Sequence, residues 1–316
     1  MVCAAEDGKI LSVHKKFSIG EPGTAPIQCG KWIVCMGWSV CSARQDRSRS
    51  SAGRDGGACS TRDSAIVSVL PIGSTSVYAT PLIDRLRPFF CYFGGKWRSA
   101  RRYPFPQYPT IVEPFAGGAG YALHYPERRV ELYEADPIIF ELWSYLIKVK
   151  QSEILRLPSV VEHVDDVSGP EAARSLIGFW LNKGVAEPKK TPSVWARSGE
   201  RPNSFWGPAI KERIAAQVPS IRHWVVKNRS YELARNVRST WFIDPPYQGE
   251  CGSSYRYRSI DYGALGEWCR GLQGQILVCE QAGADWLPFQ PFRTTKATPG
   301  SRGRSYSREV LWAATR

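Results

Sequence analysis

Apolar residues in this chain fall into short runs set apart by polar, Gly- and Pro-containing segments, and from about Pro81 onward two periods alternate. Ile111-Val112, Val130 to Tyr133, His223 to Lys227, Trp241 to Ile243 and Gln275 to Cys279 read as strands. Between them, Ile138, Leu142, Tyr145, Leu146 and Val149 recur at helical spacing and predict a core-facing stripe on a helix over 137–150. Glu171 to Leu181, Ala209 to Gln217 and Tyr262 to Leu272 predict further helices, and Leu82 to Leu86 one or two helical turns. A helix is also expected after the glycines at 117–120, its length limited by Pro126. Ala284 to Phe289 predicts a short turn or helix, Thr294 to Arg308 a hairpin-like loop, and Glu309 to Trp312 a closing edge strand. Strands alternating with helices imply an α/β fold with a mostly parallel sheet and helices on both faces.

The first 80 residues break this pattern. Ser42 to Asp63 mixes Ser, Arg, Gly and Asp with almost no apolar residue, the composition of a disordered extension or of a start placed too far upstream. Its flanks near Ile33 and Ile66 allow short strands without a sustained period. Five of the nine cysteines, Cys3, Cys29, Cys35, Cys41 and Cys59, lie here. They form no Cys-x-x-Cys pair and have only His14 nearby, so free thiols fit better than a zinc site.

Composition changes the picture in one respect. A formal charge of +13 across 316 residues favours a polyanionic partner, nucleic acid first, over a merely solvated basic surface. No apolar run reaches the roughly 18 residues of a membrane span, and the N-terminus, with Glu6 and Asp7, does not read as a secretory signal. The expectation is a reduced, soluble, cytoplasmic protein.

The candidate chemistry gathers where strands end. Asp244-Pro245-Pro246-Tyr247 stops the strand Trp241 to Ile243, because neither proline can donate a ladder hydrogen bond. A carboxylate, a main-chain carbonyl and an aromatic face are then held at a strand's carboxyl end, where open α/β sheets bind ligands. They can grip an amino group on a flat heterocycle; the plainer alternative is a Pro-Pro turn with Asp244 as a helix cap. Glu113-Pro114-Phe115-Ala116-Gly117-Gly118-Ala119-Gly120 follows another strand, and Asp136 stands about 20 residues on, a nucleotide-binding arrangement with an acid for ribose hydroxyls. A dinucleotide dehydrogenase is the rival, but the glycine spacing departs from Gly-x-Gly-x-x-Gly and Glu113 would repel a phosphate. Tyr92-Phe93-Gly94-Gly95-Lys96 reads either as an ordinary Gly-Gly turn or as an anion-approaching loop, with Arg98, Arg101 and Arg102 following. Residues 184–207 interleave Lys189, Lys190, Arg197 and Arg201 with Trp195, Phe205 and Trp206. They suit either nucleic-acid contact or a surface loop anchored by its tryptophans.

Taken in order, these motifs resemble the Dam-type adenine-specific DNA methyltransferases of bacteria and their phages, some of which belong to restriction-modification systems. The resemblance spans residues 88–314: an aromatic-x-Gly-Gly-Lys motif, a Glu-Pro-Phe glycine loop, an insertion containing Phe179-Trp180-Leu181-Asn182, then Asp-Pro-Pro-Tyr. It implies a Rossmann-like methyltransferase fold, with a catalytic domain over 81–150 and 236–316 and a small, mostly helical DNA-recognition insertion over 151–235. It also implies S-adenosylmethionine as co-substrate, no metal, and a monomer acting on double-stranded DNA. Tyr92 and Lys96 would meet the methionine end of the cofactor, with Phe93, Gly94 and Gly95 also in its binding site. Glu113, Pro114, Phe115, Gly117, Gly118 and Gly120 would line its loop, and Asp136 would hold its ribose. Asp244 would lie between cofactor and target amine, with Pro245, Pro246 and Tyr247 completing the catalytic motif and Tyr247 stacking on the flipped base. The Ala-Gly-Gly-Ala-Gly form of the loop and the loosely matching insertion depart from the family pattern, and residues 1–80 have no counterpart in it.

Overall fold

The computed structural model describes residues 2–4, 10–12, 85–200, 203–296 and 306–316. The chain divides into two units, Met1–Ser74 and Thr75–Arg316. In the first, β1 (Val2–Ala4) and β2 (Ile10–Ser12) pair antiparallel with Cys3 opposite Leu11. The polar stretch 42–63, the flanks near Ile33 and Ile66 and the grouped cysteines after Cys3 lie outside the described residues.

The second unit is built on seven strands: β3 (Thr110–Glu113), β4 (Arg129–Glu134), β5 (Val225–Asn228), β6 (Ser239–Ile243), β7 (Gly274–Gln281), β8 (Gln290–Lys296) and β9 (Tyr306–Thr315). They form one sheet in the order β5-β4-β3-β6-β7-β9-β8. The first five run parallel, and β9 pairs antiparallel with both β7 and β8. Among the described residues six α-helices accompany them: α1 (Pro137–Lys148), α2 (Gln151–Arg156), α3 (Glu171–Leu181), α4 (Val194–Arg197), α5 (Pro208–Gln217) and α6 (Tyr262–Gly271).

Period-two alternation along the strands explains the layers. Ile111, Phe242, Leu277 and Cys279 turn to the face covered by α1, α3 and α5. Their neighbours Val112, Trp241, Ile243, Ile276 and Val278 turn to the face covered by Leu265 and Cys269 of α6. This is the Rossmann-like, mostly parallel sheet with helices on both faces that the pattern predicts. Phe242 anchors its centre, stacked on Tyr121 with centroids 4.5 Å apart and set edge-on to Tyr103 at 5.0 Å. Truncating such a side chain to alanine costs about 3–5 kcal/mol.

Helix starts follow local chemistry. Pro137 opens α1, where its missing N–H costs nothing, and the Asp136 carboxylate accepts from the Ile138 amide at 2.9 Å. Asp261 caps α6 in the same way through the Ala264 amide.

Several expectations are corrected. The segment after the glycine loop makes only the 3-10 turn Ala122–His124, because Pro126 leaves no room for an α-helix. Arg85 and Leu86 are not helical. The buried stripe of α1 is Ile139, Leu142, Trp143 and Leu146, with Ile138 and Tyr145 only partly covered. The strand containing Glu309 is interior, and the edge belongs to β8, whose polar sequence hid it from pattern reading. Within 151–235 the helical part closes near Ile221, and β5 joins the main sheet beside β4.

Among the described residues no helix is long and apolar enough to cross a membrane. Cys91, Cys269 and Cys279 are free thiols.

Candidate active site

Strand order reverses direction between β3 and β6: from β3 the chain moves outward to β4, and β6 lies on its other side. At such a switch point the loops leaving the two carboxyl ends diverge and open a crevice. A cleft of about 300 Å3 lies there. Its lining includes each residue the resemblance assigned to the cofactor, from Tyr92–Lys96 through Glu113–Phe115, Gly117, Gly118, Gly120 and Asp136 to Asp244. Pro246 also lines it, whereas buried Pro245 and half-buried Tyr247 are not among its lining residues.

Lys96 and Asp244 are 148 positions apart in sequence and touch in space. The Lys96 Nζ donates to both Asp244 oxygens, at 2.6 and 2.7 Å, and to the Gly94 carbonyl at 3.3 Å. Burial works against the ammonium, yet Asp244 first and Glu309 second hold it above the usual lysine range. Burial pushes the Asp244 carboxyl up, and the Lys96 contact opposes that. The ammonium also sits 4.7 Å from the centroid of the Tyr247 ring, within cation–π range. The Tyr247 hydroxyl donates to Glu309 at 3.0 Å. Tyr247 is thus held at both ring and hydroxyl.

Lys96 is placed by close backbone packing. A Cβ on Gly120 would lie 2.6 Å from the Trp97 amide nitrogen and 2.9 Å from that of Lys96, so only glycine lets the two motifs meet. Gly117 has φ +42°, and Ala119, fully buried, has φ +47°, a conformation rarely adopted by residues with a side chain. The loop is pinned on both sides. The Gly117 amide donates to Glu134 at 3.0 Å, and its carbonyl accepts from the Trp143 indole at 2.8 Å.

This end of the cleft is acidic. Glu113 is buried and accepts from the Ala122 amide at 2.7 Å, and burial pushes its carboxyl up to about 8. Glu134, half-buried, bridges the Gly117 and Asp136 amides; burial pushes it up to about 7. Asp136 caps α1 and faces Arg256 at 3.8 Å. Since Glu134 already takes a loop amide, the loop is ill suited to a pyrophosphate but well suited to a cation. Phe115 stacks on Tyr231, with centroids 5.3 Å apart, to form an apolar wall.

Sequence reasoning missed Glu134, the stretch 230–232 and the stretch 255–261 among the lining residues. Glu134 was within reach, being the last residue of a strand whose carboxyl end faces the glycine loop. The two stretches carry no motif and enter through packing alone.

The insertion supports the site from one side. Phe93 N donates to the Val185 carbonyl at 3.1 Å, Phe179 packs against Phe90 and Tyr92, and the Trp180 indole donates to Phe89 O at 2.7 Å. Phe179 and Trp180 are therefore structural anchors. In the basic loop, Trp206 is tied to the Pro158 carbonyl at 2.8 Å and Phe205 lies under Lys183, while Trp195 is exposed. Arg201 lies outside the described residues. No group of three or more His, Cys, Asp or Glu able to hold a metal ion occurs among the described residues.

No protein-family model matches this chain, and no curated protein matches it. Among solved structures, it is similar to the crystal structure of a candidate methylase from Haemophilus influenzae, at 10% identity and a TM-score of 0.28. That alignment covers 66% of this chain and 80% of the other. A likeness so slight carries no functional argument.

Proposed function

We propose that the protein is an S-adenosylmethionine-dependent methyltransferase acting on the N6 amine of an adenine turned out of DNA. The observation that carries this reading is the Asp244 carboxylate, held at the switch point by Lys96 and facing a cleft lined with Glu113, Glu134 and Asp136. S-adenosylmethionine brings a sulfonium, an ammonium and a ribose and no phosphate, which suits that acidic lining.

The chemistry follows from the amine. Adenine's exocyclic nitrogen is a poor nucleophile because its lone pair is delocalised into the ring. Asp244 and the Pro245 carbonyl would accept its two N–H bonds, draw it towards tetrahedral geometry and localise the pair. The methyl sulfonium then needs in-line placement, so orientation and electrostatics supply the acceleration. Base extrusion costs a few kcal/mol. Exposed Trp195, with Lys189, Lys190 and Arg197 in the same loop, supports a duplex partner for the insertion.

The test is incubation with tritiated S-adenosylmethionine and, separately, duplex DNA, RNA and protein, followed by nucleoside and amino-acid analysis. Label in 6-methyladenine from DNA is the expected result. Label in RNA, in 4-methylcytosine or in glutamine would redirect the reading to another planar amine. Binding to DNA without transfer would make the protein a non-catalytic relative.

A further inference from the structure

Glu309, on interior strand β9, has no place in the chemistry above, yet it is the most heavily engaged carboxylate beside the site. One oxygen accepts from the Tyr103 hydroxyl at 2.6 Å and the Tyr247 hydroxyl at 3.0 Å, and the other accepts from the Arg293 guanidinium. The first oxygen also lies 3.9 Å from the Lys96 Nζ. Glu309 is 6% exposed, so its charge is retained only because these partners compensate it. Lys96, Arg293, Asp244 and Glu309 together form a charge-balanced cluster of two cations and two anions.

The geometry creates a conflict at Asp244. Each Asp244 oxygen already accepts from one ammonium, so an amine hydrogen arriving at either would share it with Lys96 and weaken that contact. As that contact weakens, the buried ammonium needs a further counter-charge. Of the other ionisable groups facing it, Cys279, Tyr103 and Tyr247 are all pushed up by burial and stay neutral. Of the remaining carboxylates, Glu113 acts on Lys96 from a distance and is held by the Ala122 amide, whereas Glu309 lies at ion-pair distance, about 1 Å beyond hydrogen-bond reach.

We propose that Glu309 is a positioning residue that takes over the Lys96 ammonium as the substrate amine claims Asp244. This rests on the methyl-transfer reading for its purpose, although the exchange itself can be tested without any substrate. Arg293 tunes it, because it competes with Lys96 for the same carboxylate.

The test uses protein labelled with 13C,15N-lysine, the Lys96 signal being identified by its loss in K96R. In D244N, Glu309 should keep Lys96 protonated through the ordinary lysine range. In D244N/E309Q, its proton affinity should fall by about a hundredfold or more, as for a buried ammonium without a counter-charge. Identical titration of the single and double variants would overturn the proposal. Should E309Q fail to fold, D244N/R293Q serves instead: freeing Glu309 should raise the proton affinity of Lys96, and no change would again overturn it.

In turnover, E309Q should lower kcat about tenfold with KM for S-adenosylmethionine little changed, whereas R293Q should keep or raise kcat. Equal losses in both would mark a merely structural cluster and sink the proposal. A wild-type protein that transfers no methyl group would remove the proposed function, and the lysine titrations would still decide whether Glu309 receives the ammonium.

Discussion

The two ends of the cleft solve the problem of burying charge in opposite ways. At the β6 end, Lys96 contacts Asp244 and Arg293 contacts Glu309 directly, with Lys96 3.9 Å from Glu309, so opposite charges face one another in a nearly dry setting. At the β3–β4 end, Glu113 and Glu134 take hydrogen bonds from backbone amides and no direct ion pair, and burial pushes their carboxyls up to about 8 and about 7. The first end is a pre-paired acceptor, suited to orienting a neutral amine. The second holds two buried acids without a direct ion-pair partner, suited to receiving a cation. The difference teaches where each part of a bipartite substrate belongs.

The largest effect that would break this comparison comes from Asp244→Ala. It removes the acceptor, so methylation should fall by at least about a hundredfold while DNA affinity changes little. Single-turnover formation of 6-methyladenine beside equilibrium DNA binding checks this. Near-normal product formation would refute the role given to the β6 end.

Gly120→Ala attacks the joint between the ends, because its Cβ would meet backbone atoms of Lys96 and Trp97. Backbone cannot swing aside, so we expect a loss of several kcal/mol in stability, in the range of overpacking or worse. Cofactor binding should weaken as Lys96 shifts. Urea denaturation with S-adenosylmethionine calorimetry measures both, and an unchanged midpoint would show that the two motifs are independent.

Tyr247→Phe is a subtler probe. It keeps the ring under Lys96 but deletes the hydrogen bond to the charged Glu309, an interaction of about 1.5–3 kcal/mol. A loss of roughly tenfold in methyl transfer is expected from that magnitude. Full activity would mean that only the ring matters.

A last effect concerns the acidic end. Glu113 is held above its unfolded value, so between about pH 4.5 and about pH 8 the folded state binds more protons than the unfolded one. Its contribution to stability is therefore fully present below the unfolded pKa and is lost as pH rises through about 8. Glu113→Gln cannot ionise and should flatten the fall in stability over that window, read as denaturation midpoints at several pH values. An unchanged slope would mean that Glu113 is ionised in the folded protein, like the carboxylates at the other end.

Sequence alone settled the parts that depend on local periodicity and on residues adjacent in the chain. The buried run Trp241 to Ile243, the capped start of α1 at Asp136-Pro137, and the clustering of Asp-Pro-Pro-Tyr and the glycine loop at strand ends were all legible, because period and punctuation are encoded within a few residues. Tertiary structure decided the rest. Polar β8 becomes a strand only because β9 offers it a ladder, and that pushes Glu309 from an expected edge into the interior. Glu134 joins the site because parallel pairing of β3 and β4 brings its carboxylate to Gly117. Lys96 meets Asp244 across 148 positions, and Glu309 meets Tyr103 across 206, through chain crossings that no local pattern records. Pairing energies of this kind depend on distance in space and on the exclusion of water, and a linear sequence states neither.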